Sequence, residues 1–439
     1  MRLLYVLLTY LLAPLVIAME AWKALWKPEY RGRLGQRLGY VERGPPGGCL
    51  WVHAVSVGEV QAAAAVVRKL HQQFPEVPVV ITTVTPTGAQ RARALFGDSV
   101  RHCYLPYDLP GSVRRFLDRL RPHVAIILET EIWPTLYDSL GKRGVPLVLA
   151  SARLSTRSVD RYRRMASLFR ETLSHGILIG AQTAADAERF RAIGAAADRV
   201  HVTGNVKFDL EIAADSIAAG RDFRAHWAAG RPLWIAGSTH EGEEDSVLAA
   251  HAVVRDRHPG ALLLLVPRHP QRFDAVRNLL RRQGIAYAQR SSGEAPAPDH
   301  SVFLVDTLGE LQTFYAAADV AFVGGSLVPV GGHSLLEPAV LALPMLSGPH
   351  VQNAQDVADL LEQCGALRIV RSREDLADRV CQWLDNPTLA RAAGERGRQA
   401  VAQSRGAVQR LVAMVAPLLT SAAPAAEPPA AGPGSSGSR

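Results

Sequence analysis

The sequence has 439 residues, of which 48% are hydrophobic and 21% are charged, and its formal net charge is +8. This length exceeds one ordinary hydrophobic core, so we expect two folded domains, and the composition excludes a largely disordered protein. The positive charge favours anionic partners such as nucleotides, sugar acids or phospholipid surfaces. Because the basic residues are scattered, without a clustered footprint, we do not expect nucleic acid as a partner.

The four cysteines are far apart in the sequence, and no two of them form a CxxC pair. They are Cys49, Cys103, Cys364 and Cys381. This spacing predicts free thiols in a reducing compartment rather than a disulfide framework or a metal site.

Residues 3–19 are almost wholly apolar and slightly short of the roughly 20 residues that span a bilayer. No small-residue cleavage pattern follows, which argues against a cleaved signal peptide. Aromatic and basic residues come next, and they suit the headgroups of an anionic cytoplasmic leaflet: Trp22, Lys23, Trp26, Lys27, Tyr30, Arg31, Arg33 and Arg37. We therefore predict a membrane anchor over residues 1–27, either a single span or a half-inserted helix, with the rest of the chain in the cytoplasm. A buried core helix is the alternative.

Short apolar runs alternate with helical stretches through most of the chain. In the first half the candidate strands are 50–55, 77–83, 100–104, 124–129, 146–150, 176–181 and 200–203, and in the second half they are 233–236, 261–266, 302–305, 320–323 and 344–346. This alternation is typical of repeated βαβ units and parallel sheets. It predicts an α/β protein with two Rossmann-like domains, residues 28–210 and 211–420, facing a central cleft. The Pro/Ala/Gly/Ser-rich residues 421–439 predict a disordered tail.

In the first half, acidic and basic residues stand where predicted strands end. Glu59 follows the first strand at a strand-to-helix turn, where it could be a functional acid or a helix cap. Glu129 and Glu131 close a buried strand, where carboxylates are costly unless paired, and alternation would place them on the same side if the strand persists. They are either functional or held by arginines. Lys207 follows a glycine-asparagine turn and could be a positioned cation or a surface charge. Hydroxyls in residues 82–88 more simply cap the next helix.

In the second half, residues 237–244 repeat the order strand, small residues, acid, helix. Arg268 ends another strand, where it could bind a phosphate or carboxylate or lie in a surface loop. Two glycine pairs lie within residues 322–338, and a helix is predicted to begin near Ser334. Its N–H groups could cradle an anion, and Glu337 could bind ribose or form a capping box with Ser334. Dinucleotide and P-loop motifs are absent from the sequence.

These clusters, in this order, resemble the 3-deoxy-D-manno-oct-2-ulosonic acid (Kdo) transferases of lipopolysaccharide assembly. The resemblance runs from about residue 3 to residue 419 and rests on an ordered set of motifs: HAVSVGE, TPTG, YLPYDLP, ETEIWP, GNVKFD, STHEGEE, VPRHP, FVGGSLVPVGGH and LEPA. It implies a two-domain glycosyltransferase fold of the type called GT-B, a CMP-Kdo donor, a lipid A precursor (lipid IVA) as acceptor, and no metal for catalysis. It also implies that the protein is located at the cytoplasmic face of the inner membrane.

The resemblance assigns roles to particular residues. The proton acceptor falls on Glu59, and the residues that assist the transition state fall on Glu129 and Lys207. The CMP contacts fall on Pro267, Arg268, Leu308, Gly309, Glu310, Ser334, Leu335, Leu336 and Glu337. Many members of the family have asparagine where this chain has Ser334, a shorter donor. A two-domain sugar-nucleotide epimerase and a non-catalytic nucleotide-binding protein at the membrane remain the alternatives.

Overall fold

The computed structural model describes residues 2–27, 30–129, 131–154, 159, 166–173 and 176–422. The described chain forms two compact units. The first comprises the described parts of Met1–Asp209 and Gly406–Arg439, and the second is Leu210–Arg405. Each unit is an α/β fold with its own sheet.

The first unit is built on a seven-stranded, all-parallel sheet. Its strands are β1 (Cys49–His53), β2 (Val79–Thr83), β3 (Arg101–Tyr104), β4 (Pro122–Leu128), β5 (Leu147–Ala152), β6 (Leu178–Ala181) and β7 (Val200–Val202). Their order is β3-β2-β1-β4-β5-β6-β7. The central strands are buried along their length, as a parallel sheet covered on both faces requires.

Two helices precede the first strand of this unit, and the others lie between its strands. They are α1 (Arg2–Trp26), α2 (Arg33–Arg37), α3 (Val57–Gln73), α4 (Pro86–Phe96), α5 (Pro110–Leu120), α6 (Pro134–Lys142), α7 (Ala166–Leu173) and α8 (Ala184–Ala192). Within α5 the buried residues Val113, Phe116 and Leu120 recur at helical spacing and pack in the core of this unit.

The second unit contains another seven-stranded, all-parallel sheet. Its strands are β8 (Leu233–Thr239), β9 (Leu262–Pro267), β10 (Tyr287–Gln289), β11 (Val302–Leu304), β12 (Val320–Val323), β13 (Met345–Ser347) and β14 (Leu367–Ile369). Their order is β10-β11-β9-β8-β12-β13-β14. The helices are α9 (Ala214–Trp227), α10 (Glu244–Arg257), α11 (Phe273–Arg282), α12 (Leu311–Ala317), α13 (Leu336–Val340), α14 (Gln355–Gln363), α15 (Arg373–Asp385) and α16 (Pro387–Gln403). The fold thus has the two predicted Rossmann-like domains.

The last helix, α17 (Ala407–Ala422), belongs to the first unit. Its buried residues Leu411, Val415 and Leu419 complete the core formed by β1, β4 and α3. The Asp209 carboxylate accepts hydrogen bonds from the first N–H groups of this segment. The sequence-based division placed residues 407–420 in the second domain. That placement is wrong for α17, because its apolar face covers the first sheet. The predicted tail lies outside the described residues from residue 423 on.

The apolar N-terminal segment forms α1, a helix of 25 residues. Its most apolar 18-residue window has a mean hydropathy of 2.0, and none of the helix is buried. By length and composition α1 could cross a membrane, whereas the alternative of a buried core helix is wrong because none of its residues is buried.

Arg33 and Arg37 do not form part of a membrane-facing basic collar. Their exposed fractions are only 4% and 8%. The guanidinium of Arg33 stacks 4.4 Å from the ring centroid of Tyr104 and donates to the carbonyl of Val84. The guanidinium of Arg37 donates to the carbonyl of Leu105. The prediction that these two arginines contact lipid headgroups was wrong, because their hydrogen bonds connect α2 to the residues that follow β2 and β3.

Candidate active site

Glu59 lies in the first turn of α3, directly after β1. Its Oε2 atom accepts a hydrogen bond from the Val55 N–H at 2.6 Å, and its Oε1 atom accepts a long one from Ser56 Oγ at 3.4 Å. The Val55 N–H lies one residue before the N-cap Ser56, so this bond fixes the turn before α3 rather than capping an N–H group of the helix. The other oxygen has only a weak partner and can accept a proton.

The surroundings of Glu59 make its carboxyl group a weaker acid than usual. Burial raises the pKa of Glu59 to about 7, and the charges of Glu129 and Glu131 act in the same direction. The Val55 N–H and the Lys207 cation oppose this increase without cancelling it. A general base is most effective when its pKa lies near the working pH, so this carboxylate suits proton abstraction.

Glu129 and Lys207 form an ion pair, with Nζ and Oε1 2.6 Å apart. About a third of each side chain is exposed, so the pair can reach a ligand. Glu129 has a φ of 57°, in the left-handed region, directly after β4 ends at Leu128. Such backbone strain is costly and often occurs at functional sites. It also ends the strand alternation, so the condition for alternation to place Glu129 and Glu131 on one side, a strand that persists past Leu128, is not met.

The loop after β7 positions Lys207. The side-chain oxygen of Asn205 accepts a hydrogen bond from the Lys207 N–H at 3.0 Å, and the Asn205 amide donates to Gln182 Oε1 at 3.3 Å. Gly204 has a φ of 90°, which glycine adopts without strain. Glu59, Glu129 and Lys207 thus come together at the carboxyl edge of the first sheet, which is where ligands bind in open α/β sheets.

Among the threonines of residues 82–88, Thr85 makes the helix cap that the favoured interpretation predicted. Thr82 is buried, and its hydroxyl accepts from Trp51 Nε1 at 2.8 Å. Thr85 caps α4 by accepting from the Gly88 N–H.

In the second unit, Pro267 is the last residue of β9 and Arg268 follows it. Pro267 is buried and Arg268 is exposed. The Arg268 N–H donates to the carbonyl of Thr239, which fixes the backbone at this point. The guanidinium makes no hydrogen bond or ion pair with any residue that the structure describes, so it is available for an anionic ligand.

Residues 308–310 lie after β11, at the same edge of the sheet. Leu308 is 68% exposed, and Gly309 has a φ of 87°. The carboxylate of Glu310 is held by Arg290, 2.8 Å away, and by the hydroxyl of Thr307. Its side chain is therefore already paired, which leaves the backbone of this loop as the more accessible surface.

Residues 334–337 do not form the predicted capping box. The helix α13 has only five residues and begins at Leu336, and its N-cap is Leu335, without a side-chain hydrogen bond. Ser334 is exposed before the helix, whereas Leu335 and Leu336 are buried. Glu337 accepts instead from Gln312 Nε2 at 2.9 Å. The anion cradle at this helix start stays a prediction, and a helix of only five residues would contribute little dipole to it.

Sequence reasoning missed the role of Glu243, a fully buried carboxylate at the start of α10. Its two oxygens accept hydrogen bonds from four backbone N–H groups, those of His240, Gly325, Ser326 and Leu327, at 2.7–2.9 Å. It therefore joins the loop after β8 to the glycine-rich loop after β12. Only an acid before a helix and a distant glycine pair pointed to this contact. Sequence reasoning also missed a pair formed by His240 and His333.

We expect Glu243→Gln to lower the free energy of unfolding by about 2–4 kcal/mol, because an amide nitrogen cannot accept the N–H bonds that a carboxylate oxygen accepts. Urea unfolding of the two proteins measures this difference. The exposed Glu362→Gln serves as the control, with an expected change within about 0.5 kcal/mol. Equal stability of Glu243→Gln and the parent protein would contradict this role.

This chain is similar to known proteins over most of its length. A family profile described as 3-deoxy-D-manno-octulosonic-acid transferase (kdotransferase) matches residues 32–210. The 3-deoxy-D-manno-octulosonic acid transferase of Haemophilus influenzae is 38% identical over 421 residues, covering 95% of this chain and 99% of the relative. The chain belongs to the Kdo transferase family. The Bordetella pertussis transferase is also 38% identical, over 88% of this chain and 90% of its own.

The Kdo transferase fold is shared more widely. A UDP-GlcNAc 2-epimerase structure from Neisseria meningitidis has a TM-score of 0.54 and 14% identity, and it covers 85% of this chain and 99% of its own. At this identity the likeness concerns the fold alone. This Kdo transferase is a glycosyltransferase with two Rossmann-like units and an apolar N-terminal helix.

Proposed function

We propose that this Kdo transferase moves Kdo from CMP-Kdo to a lipid A precursor (lipid IVA) in lipopolysaccharide assembly, with inversion at the anomeric carbon and Glu59 as general base. The observation that carries the proposal is the geometry of Glu59. A carboxyl group with a pKa raised to about 7 lies beside the Glu129–Lys207 pair, at the ligand-binding edge of a chain that is 38% identical to Kdo transferases.

The reaction forms one bond and breaks another. A hydroxyl oxygen of the acceptor attacks the anomeric carbon of Kdo while its proton passes to the Glu59 carboxylate. The bond between that carbon and the phosphate oxygen breaks, and CMP leaves with the electron pair. Attack opposite the leaving group inverts the centre without a covalent intermediate, through a transition state with oxocarbenium character. The Oε1 atom of Glu59 is the better acceptor, because Val55 already occupies Oε2.

Lys207 supplies a cation at the same edge. Its Nζ atom lies 2.6 Å from Oε1 of Glu129, and this ion pair orients the ammonium group. In the proposed complex this cation neutralises the donor's carboxylate or phosphate. Glu129 is then a positioning residue, since it acts on the donor through Lys207.

Arg268 binds the donor phosphate in this account, because its guanidinium lacks a partner among the described residues and suits phosphate geometry. We expect Arg268→Ala to weaken CMP binding by about 10–100-fold, the usual range for a hydrogen bond to a charged group. Calorimetry with CMP measures the loss. The exposed Arg391→Ala is the matched control. Unchanged CMP affinity in Arg268→Ala would remove Arg268 from this role.

The contacts of α1 support a half-inserted helix rather than a span. Its first residue contacts the first unit, because Arg2 pairs with Asp138 and lies 3.6 Å from Glu171. One turn later the Tyr5 hydroxyl donates to Asp108 at 2.8 Å. A helix of 25 residues is about 37 Å long, so a span would carry Arg2 across the bilayer and away from these carboxylates.

The leucines of α1 give the membrane side of the helix. Leu3, Leu7 and Leu11 are 87%, 65% and 73% exposed, and their spacing places them on one face. We propose that this face enters the cytoplasmic leaflet of the inner membrane, which concentrates the enzyme where its lipid acceptor lies.

The topology of α1 can be tested directly. We expect an epitope tag fused before Met1 to resist protease added to intact spheroplasts, and to be cleaved once the membranes are opened. Cleavage in intact spheroplasts would instead show a spanning helix, because only a span carries the N-terminus outside.

Mass spectrometry of the products tests the proposed function. Incubation with CMP-Kdo and lipid IVA is expected to add the mass of one or more Kdo residues to the lipid and to release CMP. No change in the lipid would contradict the proposed acceptor. Incubation with a sugar nucleotide and no lipid tests the alternative activity. An epimerase would form a new sugar nucleotide, and we expect none.

A further inference from the structure

Two imidazoles form a hydrogen-bonded pair at the carboxyl edge of the second sheet. His240 follows β8, and His333 lies in the loop after β12. Their Nε2 atoms are 2.8 Å apart, and their rings are nearly parallel, with centroids 5.0 Å apart and an interplanar angle of 13°. Strand β8 lies between β12 and β9, the strand that ends before Arg268. The pair and Arg268 therefore lie at the ends of three adjacent strands.

The glycine-rich loop holds this pair in place. Glu243 accepts from the backbone N–H groups of His240 and Gly325, and the Gly332 N–H donates to the Gly325 carbonyl at 2.7 Å. Gly325 has a φ of 68°, and a Cβ added there would lie 2.9 Å from Cδ2 of His333. A larger residue would displace the ring. The loop backbone thus packs closely against this ring and limits the positions that it can take, and electrostatic catalysis favours such oriented groups.

Both rings are neutral near physiological pH. Burial, with the nearby charge of Arg268, lowers the pKa of His333 to about 3, and burial also lowers the pKa of His240. Two neutral imidazoles carry one N–H each, and one of these lies between the two Nε2 atoms. The ring that accepts this bond must carry its own proton on Nδ1. Neither Nδ1 atom has a partner in the part of the chain that the structure describes.

We propose that the His240–His333 pair is a phosphate contact of the donor site, in which the ring with a protonated Nδ1 donates to a phosphate oxygen beside Arg268. The inference rests on the proposed function, which supplies the CMP donor. Arg268 provides the charge and the pair provides a neutral, oriented N–H. As the bond to the sugar breaks, negative charge on the phosphate increases and this hydrogen bond strengthens. The pair then stabilises the transition state more than the bound donor.

Calorimetry of the full-length protein in detergent, with CMP and with cytidine, tests the proposal. We expect His333→Ala and His240→Ala each to weaken CMP binding by about 10–100-fold, and to leave cytidine binding unchanged because cytidine has no phosphate. The variant His333→Asn keeps an amide N–H near the position of Nδ1 and is expected to recover part of the affinity. A merely structural pair would give equal losses for both ligands.

The control is His226→Ala, which removes an exposed imidazole of the same unit and is expected to bind both ligands normally. If His333→Ala does not fold, His240→Ala carries the same comparison, because it removes the other ring of the pair. CMP affinity equal to that of the parent protein in either folded variant would overturn the proposal and leave the proposed function intact. A parent protein that does not prefer CMP over cytidine would overturn both.

Discussion

Glu59→Gln is expected to reduce kcat/KM for Kdo transfer by about 10²–10⁴-fold, the usual contribution of a general base. Glutamine has nearly the same shape and can still accept the Val55 N–H bond through its carbonyl oxygen, so the turn before α3 is retained. It cannot accept a proton from the acceptor hydroxyl. Transfer is measured as lipid product formed from CMP-Kdo and lipid IVA.

The matched control for this substitution is Glu76→Gln, which changes an exposed acid of the same unit. We expect normal transfer in the control and normal CMP affinity in both variants, because neither Glu59 nor Glu76 is a proposed nucleotide contact. Near-parent turnover in Glu59→Gln would remove Glu59 from the role of base, whatever the family resemblance.

Lys207→Met is expected to reduce kcat/KM by about 10²–10³-fold, the usual effect of removing one group that stabilises transition-state charge. It also leaves the Glu129 carboxylate without its ion-pair partner. The Lys207 cation holds the pKa of Glu59 below the value that burial and neighbouring acids would produce. Removal of this cation should therefore raise the pKa of Glu59. As the pH is lowered, the variant should lose its activity at a higher pH than the parent protein does.

The exposed Lys69→Met is the control for charge removal in the same unit. Transfer rates at several pH values, with both variants and the parent protein, separate the two effects of Lys207. A merely structural lysine would lower stability without moving the pH dependence. An unchanged kcat/KM together with an unchanged profile would contradict its role.

The two Rossmann-like units could be predicted because their central strands are continuous apolar runs. The strands β10 and β14 were missed, since each has only three residues at a sheet edge and they include polar side chains such as Gln289 and Arg368. The placement of α17 could not be predicted from its position in the sequence. The spacing of its apolar residues is compatible with packing against either unit. Only the observed packing of residues such as Leu411 shows that α17 belongs to the first unit.

The candidate site could be predicted where an acid or a base stands within a few residues of the end of an apolar strand, as Glu59 and Arg268 do. Contacts between distant loops could not be predicted. Glu243 and the pair of His240 and His333 join segments about 80–90 residues apart, and neither member alone carries a recognisable pattern. The burial of Arg33 was missed for a related reason, since arginines near an apolar helix are usually exposed.

The pH dependence of kcat/KM for Kdo transfer tests the central claim most directly, because it reports the ionisation of the free enzyme's base. Glu59 must be deprotonated to accept a proton, and its pKa is raised to about 7. We predict that the rate falls as the pH decreases through about 7, and that Glu129→Gln moves this midpoint to lower pH by removing a neighbouring negative charge. A rate that stays constant from about pH 5.5 to 8.5 in the parent protein, with no shift in Glu129→Gln, would contradict the account.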